Sequence, residues 1–167
     1  MVVTSWVALL VVTALGEIAT LSLLGFDVSQ PLTVAVLALV AIAAERETVR
    51  FTAYCEASIG SLVFVFAAVT LGPLAAAIVG VAGLLVDLPR RDTDSPVLRW
   101  LSWASLRVLA ATAAAFAASA VTHSARAGFL VTCAAVFAAF TAETTTNLLL
   151  GSVAPAIRGV TTLRRVP

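Results

Sequence analysis

The sequence predicts an all-α integral membrane protein with six transmembrane segments, and three observations support that prediction. Hydrophobic residues make up 61% of the 167-residue chain and charged residues only 11%, whereas soluble domains carry about 25% charged residues. The mean hydropathy is +1.08, and the apolar residues fall into six stretches. A chain with so few charges could not cover a water-facing surface, so the lipid bilayer is its expected partner.

The six predicted segments are separated by turn-forming or charged residues. A glycine at Gly25 ends the first segment, the run Glu45-Arg46-Glu47 ends the second, and Gly72-Pro73 separates the third from the fourth. Ser95-Pro96 is typical of a helix start. The approximate bounds are 3–24, 31–44, 55–71, 73–88, 96–123 and 129–155.

The third and fourth segments are shorter than the roughly 20 residues that a crossing helix needs. They predict either two short crossings joined by the Gly-Pro turn or a re-entrant hairpin that enters and leaves by one face. The orientation is the same in both alternatives. No repeat or linker divides the chain, so residues 1–167 are interpreted as a single polytopic domain.

The orientation follows from the basic residues, all ten of which are arginine. Arg126 falls on one face of the predicted membrane and Arg107 lies within a segment. The other eight share the opposite face, which the positive-inside rule assigns to the cytoplasm together with both termini. We therefore expect a multi-pass protein of the cell inner membrane, with eight cytoplasmic arginines: Arg46, Arg50, Arg90, Arg91, Arg99, Arg158, Arg164 and Arg165.

The candidate ligand site consists of polar residues inside the predicted segments: Glu17, Arg107, Glu143 and Asn147. A charge at membrane depth costs at least ~2.5 kcal/mol unless it is paired or hydrated. Arg107 and Glu143 are expected at similar depths in the cytoplasmic half, where they can form an ion pair. The alternatives to a ligand site are a structural clamp, in which the ion pair only orients two helices, and an arginine that extends to the lipid headgroups.

A second charge cluster, Glu45 to Arg50, is typical of a solvated loop or of ion pairs at a helix end. Its functional interpretation is a cytoplasmic contact surface formed by Glu45, Arg46 and Arg50 with Arg158 of the C-terminal tail. The small residues Ala76, Gly80 and Gly83 predict a helix that packs closely on a neighbour.

Several function classes are disfavoured. The common catalytic motifs are missing from the sequence, so we do not expect an enzyme, and we expect no cofactor and no metal. A net charge of +1 argues against nucleic acid as a partner. Cys55 and Cys133 are far apart in the sequence and are interpreted as small apolar core residues.

Four stretches together carry a family resemblance. The chain is similar to the N-terminal multi-helix membrane region that precedes HD-type cyclic-dinucleotide phosphohydrolase or GGDEF-type cyclase domains in bacterial signalling proteins. The matching residues are Glu45-Arg46-x-x-Val49, Ser61-Leu62-Val63-Phe64-Val65-Phe66-Ala67-Ala68, Leu71-Gly72-Pro73-Leu74-Ala75-Ala76-Ala77 and Thr146-Asn147-Leu148-Leu149-Leu150.

The resemblance implies a sensory or regulatory input module that couples a ligand or a membrane state to a cytoplasmic signalling domain, with residues 158–165 as the junction. One departure is that Ser102-Trp103-Ala104-Ser105 stands where such regions often have an Asn-Ala-Ala-Gln-like stretch. A homodimer is a further expected form.

Two alternatives stay open. The size and helix count also resemble the substrate-binding subunit of an energy-coupling-factor vitamin transporter, although the small-residue coupling motif of those subunits is not evident in residues 1–24. The third alternative is a structural membrane protein without a ligand. An adjacent or fused HD or GGDEF domain favours the sensor, whereas neighbouring ATPase and coupling subunits favour transport.

Overall fold

The computed structural model describes residues 2–46, 48–52, 55–58, 60–85, 96–123 and 128–157. Within these ranges the chain forms six helices and one short β-hairpin, so the predicted helical class is confirmed. The elements, in chain order, are α1 (Val2–Leu23), α2 (Pro31–Arg46), β1 (Thr48–Thr52), β2 (Cys55–Ser58), α3 (Gly60–Leu71), α4 (Pro73–Leu84), α5 (Pro96–His123) and α6 (Phe129–Ile157).

Helix length separates the six helices into two groups. In α1, α5 and α6, apolar stretches of 22, 27 and 25 residues are long enough to cross a membrane. The other three helices are apolar but shorter, and α3 and α4 have 12 residues each. At 1.5 Å per residue such a helix is about 18 Å long, against a hydrocarbon core of about 30 Å.

The turn between α3 and α4 occurs where the sequence predicts it. Gly72 has φ +87° and ψ −177°, a backbone conformation that is essentially restricted to glycine. Pro73 follows as the first residue of α4, where its missing N–H would have no helical partner in any case. The pair therefore ends one helix and starts the next without an intervening loop.

The segment between α2 and α3 differs from the prediction. The sequence predicts a solvated loop or ion pairs at a helix end over Glu45 to Arg50, and a helix from residue 55. In the structure Thr48–Thr52 and Cys55–Ser58 form an antiparallel hairpin with Arg50 opposite Glu56, and α3 begins at Gly60. Four of the five residues of β1 are threonine, valine or phenylalanine, a composition that favours strand over helix. The apolar content of residues 55–59 alone does not distinguish a strand from the start of a helix.

Helix α5 is the centre of the bundle and packs against α1, α3, α4 and α6, while α2 packs against α3 and α4. The most enclosed helix is α4, in which nine of twelve residues are buried. Most of these residues are alanine or glycine, which lets helix backbones approach closely. The predicted close packing around Ala76, Gly80 and Gly83 is thus present, with all three residues buried.

Candidate functional site

Four helices bring polar side chains to one place near the hairpin end of the bundle. Glu45 lies in the last turn of α2, Ser61 in the first turn of α3, and Arg107 in α5. Glu143 and Asn147 lie one turn apart on α6. We call these five residues, with Phe64 and Thr144, the Arg107 network.

Arg107 joins two carboxylates that come from different helices. Its Nη2 donates to Glu45 Oε1 at 3.0 Å, and its Nη1 lies 3.5 Å from Glu143 Oε1. The planar guanidinium suits this role because its N–H donors diverge in a fixed fork. A single side chain of α5 therefore ties the end of α2 to the middle of α6.

Glu143 is the most buried polar member of the network, with only 3% of its surface exposed. Three more side chains donate to its carboxylate. Asn147 Nδ2 donates to Oε1 at 2.6 Å, Ser61 Oγ donates to the same oxygen at 3.3 Å, and Thr144 Oγ1 donates to Oε2 at 3.3 Å. These bonds offset part of the free-energy cost of burying the carboxylate.

The apolar surroundings strengthen the network. The Arg107 guanidinium carbon lies 4.9 Å from the centre of the Phe64 ring, in a cation–π arrangement. The side chains of Arg107 and Glu45 are 12% and 15% exposed. Because little water reaches these groups, their electrostatic interactions are stronger than those of a surface ion pair.

The network has a formal charge imbalance, since one guanidinium faces two carboxylates. Two polar atoms of the network, Arg107 Nε and Asn147 Oδ1, are buried without a hydrogen-bond partner. The arrangement is suited to holding helices in one register and to changing partners when a helix moves. Among the described residues there is no group of three His, Cys, Asp or Glu side chains that could hold a metal ion.

Of the candidate ligand-site residues, the structure brings Arg107, Glu143 and Asn147 together and places Glu17 elsewhere. Glu17 of α1 lies near Thr112 of α5, whose hydroxyl group donates to Val108 O at 3.0 Å within its own helix. The Oε2 atom of Glu17 is buried without a hydrogen-bond partner. Thr112 is five residues beyond Arg107, or about 7.5 Å along the helix axis. Polar side chains therefore lie at two separate positions along α5, one at Arg107 and one at Thr112.

Glu45 is the residue whose role the sequence reasoning missed. We expected it on a cytoplasmic contact surface, but α2 continues to Arg46, and the helix carries the Glu45 side chain inward to Arg107. The side chains of Arg46 and Arg50, and all of Arg158, lie outside the described residues. Glu45 directly follows an apolar run at helical spacing, and this pattern indicates that the helix continues. The prediction ended the helix at Ala44 and therefore did not place Glu45 on it.

Cys133 and His123 both lie on exposed positions of their helices. Cys133 is exposed on α6, so the expectation of a core position was wrong for it. His123, in the last turn of α5, is exposed and its Nδ1 lies 2.7 Å from Ser119 O.

An apolar groove of about 290 Å³ lies between α1 and α4. Its walls are Ile18 of α1, apolar side chains of α4 that include the exposed Ile78, and the exposed Leu85 directly after α4. The groove has almost no polar lining, so it offers a surface for apolar chains and few groups that could orient a polar ligand.

Comparison of the chain with protein-family models, with curated proteins and with solved structures gives no match. The assignment of function therefore depends on the geometry of the Arg107 network and on the sequence pattern.

Proposed function

We propose that the chain is a membrane-embedded sensory or regulatory input module in which the Arg107 network couples helix packing to a cytoplasmic output. The observation that carries this proposal is that one guanidinium holds carboxylates of α2 and α6 at 3.0 and 3.5 Å. A buried network that joins separate helices is a means of making their positions depend on one another.

The membrane location is supported by the three long apolar helices and by the one-sided distribution of arginine. In the proposed topology the protein lies in a bacterial inner membrane, and both termini are in the cytoplasm. The shorter helices α2, α3 and α4 complete the six segments, with α3 and α4 as a hairpin within the bundle. The Arg107 network then lies in the cytoplasmic half.

The proposed mechanism is a small shift of α6 relative to α2. The Arg107–Glu143 distance is the longer of the two ion-pair distances, so it is the contact that a small displacement breaks first. Helix shifts of about 1–2 Å are common in signalling transitions. Because α6 leads directly to the junction at residues 158–165, such a shift changes the position of whatever follows it.

The output partner proposed from the resemblance is a cytoplasmic signalling domain of the HD or GGDEF type, either fused to this region or a separate chain. The input is a ligand or a membrane state that changes helix packing away from the junction. Such an input can act on the bundle at the groove between α1 and α4, or where Glu17 of α1 lies near Thr112 of α5.

Distance measurement between two spin labels tests the proposal. Ala43 of α2 and Ser152 of α6 are exposed and suit labelling after substitution by cysteine, with Cys55 and Cys133 replaced by serine. The labelled protein is reconstituted in phosphatidylcholine bilayers of increasing chain length. We expect the distance distribution to shift with bilayer thickness in the native network.

Arg107→Gln should abolish the coupling and give a broad distribution that no longer depends on the bilayer, because α2 and α6 lose their common partner. Arg99→Gln is the matched control, since Arg99 is an exposed arginine of the same helix. An unchanged distribution in all bilayers, and with the small molecules that co-purify in detergent, would contradict an input module and leave a structural clamp.

A further inference from the structure

We infer that Gly83 and Gly80 of α4 are positioning residues of the Arg107 network, where a larger residue would fit only if neighbouring atoms moved by a few tenths of an ångström. The inference rests on the proposed function only where it concerns signalling. The contacts themselves concern packing and can be tested without any ligand.

Gly83 lies against the two groups that orient the Arg107 guanidinium. A Cβ built on Gly83 would lie 3.1 Å from Glu45 Cγ, closer than nearly all such contacts in proteins, and 3.6 Å from Phe64 Cζ. Glu45 is the closer partner of Arg107, and Phe64 stacks beneath its guanidinium. A methyl group at Gly83 therefore displaces Glu45 in particular.

Gly80 lies one turn earlier on α4 and contacts the backbone of Arg107 itself. A Cβ on Gly80 would lie 3.3 Å from the Arg107 carbonyl oxygen and 3.6 Å from Ala111 Cβ. Because the first contact is with backbone, relief requires a movement of α5 rather than a side-chain rotation. Gly80 thus sets the distance between α4 and α5 at the level of the network.

Neighbouring positions on α4 show why glycine is needed at these two places. Ala75, Ala76 and Ala77 are also buried in α4, and the helix accommodates their methyl groups in the core. Alanine is the better helix former by about 1 kcal/mol. Glycine therefore occurs in this alanine-rich helix where the end of α2 and the backbone of α5 come closest.

The first test is a double-mutant cycle between Gly83→Ala and Glu45→Ala, measured by thermal unfolding of the full chain in detergent. Gly83→Ala alone should lower the unfolding temperature by about 2–4 °C. In the Glu45→Ala background the same substitution should be neutral or stabilising, because the Cγ atom that it would meet is gone. The remaining contacts of the new methyl group are at ordinary distances.

Gly151→Ala is the matched control, since a Cβ there has no atom within 4 Å. It should have the same small effect with and without Glu45. An equal loss from Gly83→Ala in both backgrounds would overturn the inference. If Gly83→Ala does not fold, the double variant must fold as well as Glu45→Ala alone, and its failure to do so would also overturn it.

The second test is spectroscopic and separates positioning from a general loss of stability. In protein labelled with ¹⁵N-arginine, the side-chain signal that disappears in Arg107→Lys identifies Arg107. Gly83→Ala should shift this signal toward its position in Glu45→Gln, and Gly151→Ala should leave it in place. A destabilised Gly83→Ala protein with an unshifted Arg107 signal would contradict the inference.

The two proposals fail separately. If Gly83 couples to Glu45 but the α2–α6 distance never responds to the bilayer, the positioning role stands and the sensory function fails. If the α2–α6 distance responds to the bilayer but Gly83→Ala lowers stability equally with and without Glu45, the sensory function stands and the positioning role fails.

Discussion

At the scale of single residues, Arg107 organises the buried polar chemistry, and its geometry excludes a simple replacement. A lysine presents a point charge at the end of a flexible chain, whereas the guanidinium reaches two carboxylates from one plane. The Glu45 and Glu143 carboxylates meet different nitrogens of that group.

Removal of Arg107 should therefore be costly. Arg107→Ala leaves two buried carboxylates without their shared cation, and we expect a loss of about 3–5 kcal/mol in the free energy of unfolding. In the Arg107→Ala, Glu143→Ala double variant the loss should be smaller than the sum of the two single losses. Denaturant titration in mixed micelles measures each value, and strictly additive losses would contradict the ion pair.

Replacement of Glu17, unlike that of Arg107, should increase the free energy of unfolding. One oxygen of its carboxyl group is buried without a hydrogen-bond partner, and an unsatisfied buried polar group costs about 1–3 kcal/mol. Glu17→Leu should therefore raise the free energy of unfolding by an amount of that order. Ala19→Leu, on the exposed side of α1, is the control and should change stability little. A destabilised Glu17→Leu protein would show that the carboxyl group is required by the fold.

At the scale of elements, the turn between α3 and α4 depends on one backbone conformation. Gly72 has space for a methyl group, since no atom lies within 4 Å of the position of a Cβ. The whole cost of Gly72→Ala should thus come from its positive φ, and we expect a loss of about 1–3 kcal/mol. Gly16→Ala, also without a neighbour within 4 Å but inside α1, should be neutral or stabilising in the same unfolding assay.

The helices and the Gly-Pro turn follow from the sequence because apolar runs and helix breakers are local signals. The hairpin and the exact end of α2 did not follow, since strand pairing between residues 48–52 and 55–58 depends on partners that a local pattern does not reveal. That error left Glu45 outside the predicted helix, which ended at Ala44. Arg107, Glu143 and Asn147 were predictable as polar residues within apolar segments, whereas the place of Glu45 depended on where α2 ends.

At the scale of the whole molecule, many large apolar side chains lie on the exterior of the described helices. Large exposed side chains occur along α1, α2 and α6, including Leu9, Leu39 and Phe137. Exposed apolar side chains in this number support the proposed lipid environment. Composition and arginine asymmetry predict that environment, but the places where helices touch are set by packing and could not be derived from composition.

The proposed orientation in the membrane is the basis of the whole account, and site-directed labelling tests it most directly. A single cysteine at Asp27, in the exposed connection between α1 and α2, is compared with an epitope tag joined to Pro167. We predict that an impermeant maleimide labels residue 27 in intact spheroplasts and that the tag becomes accessible only after permeabilisation. Recovery of the native protein from the soluble fraction, or detection of the tag from outside intact cells, would contradict the account.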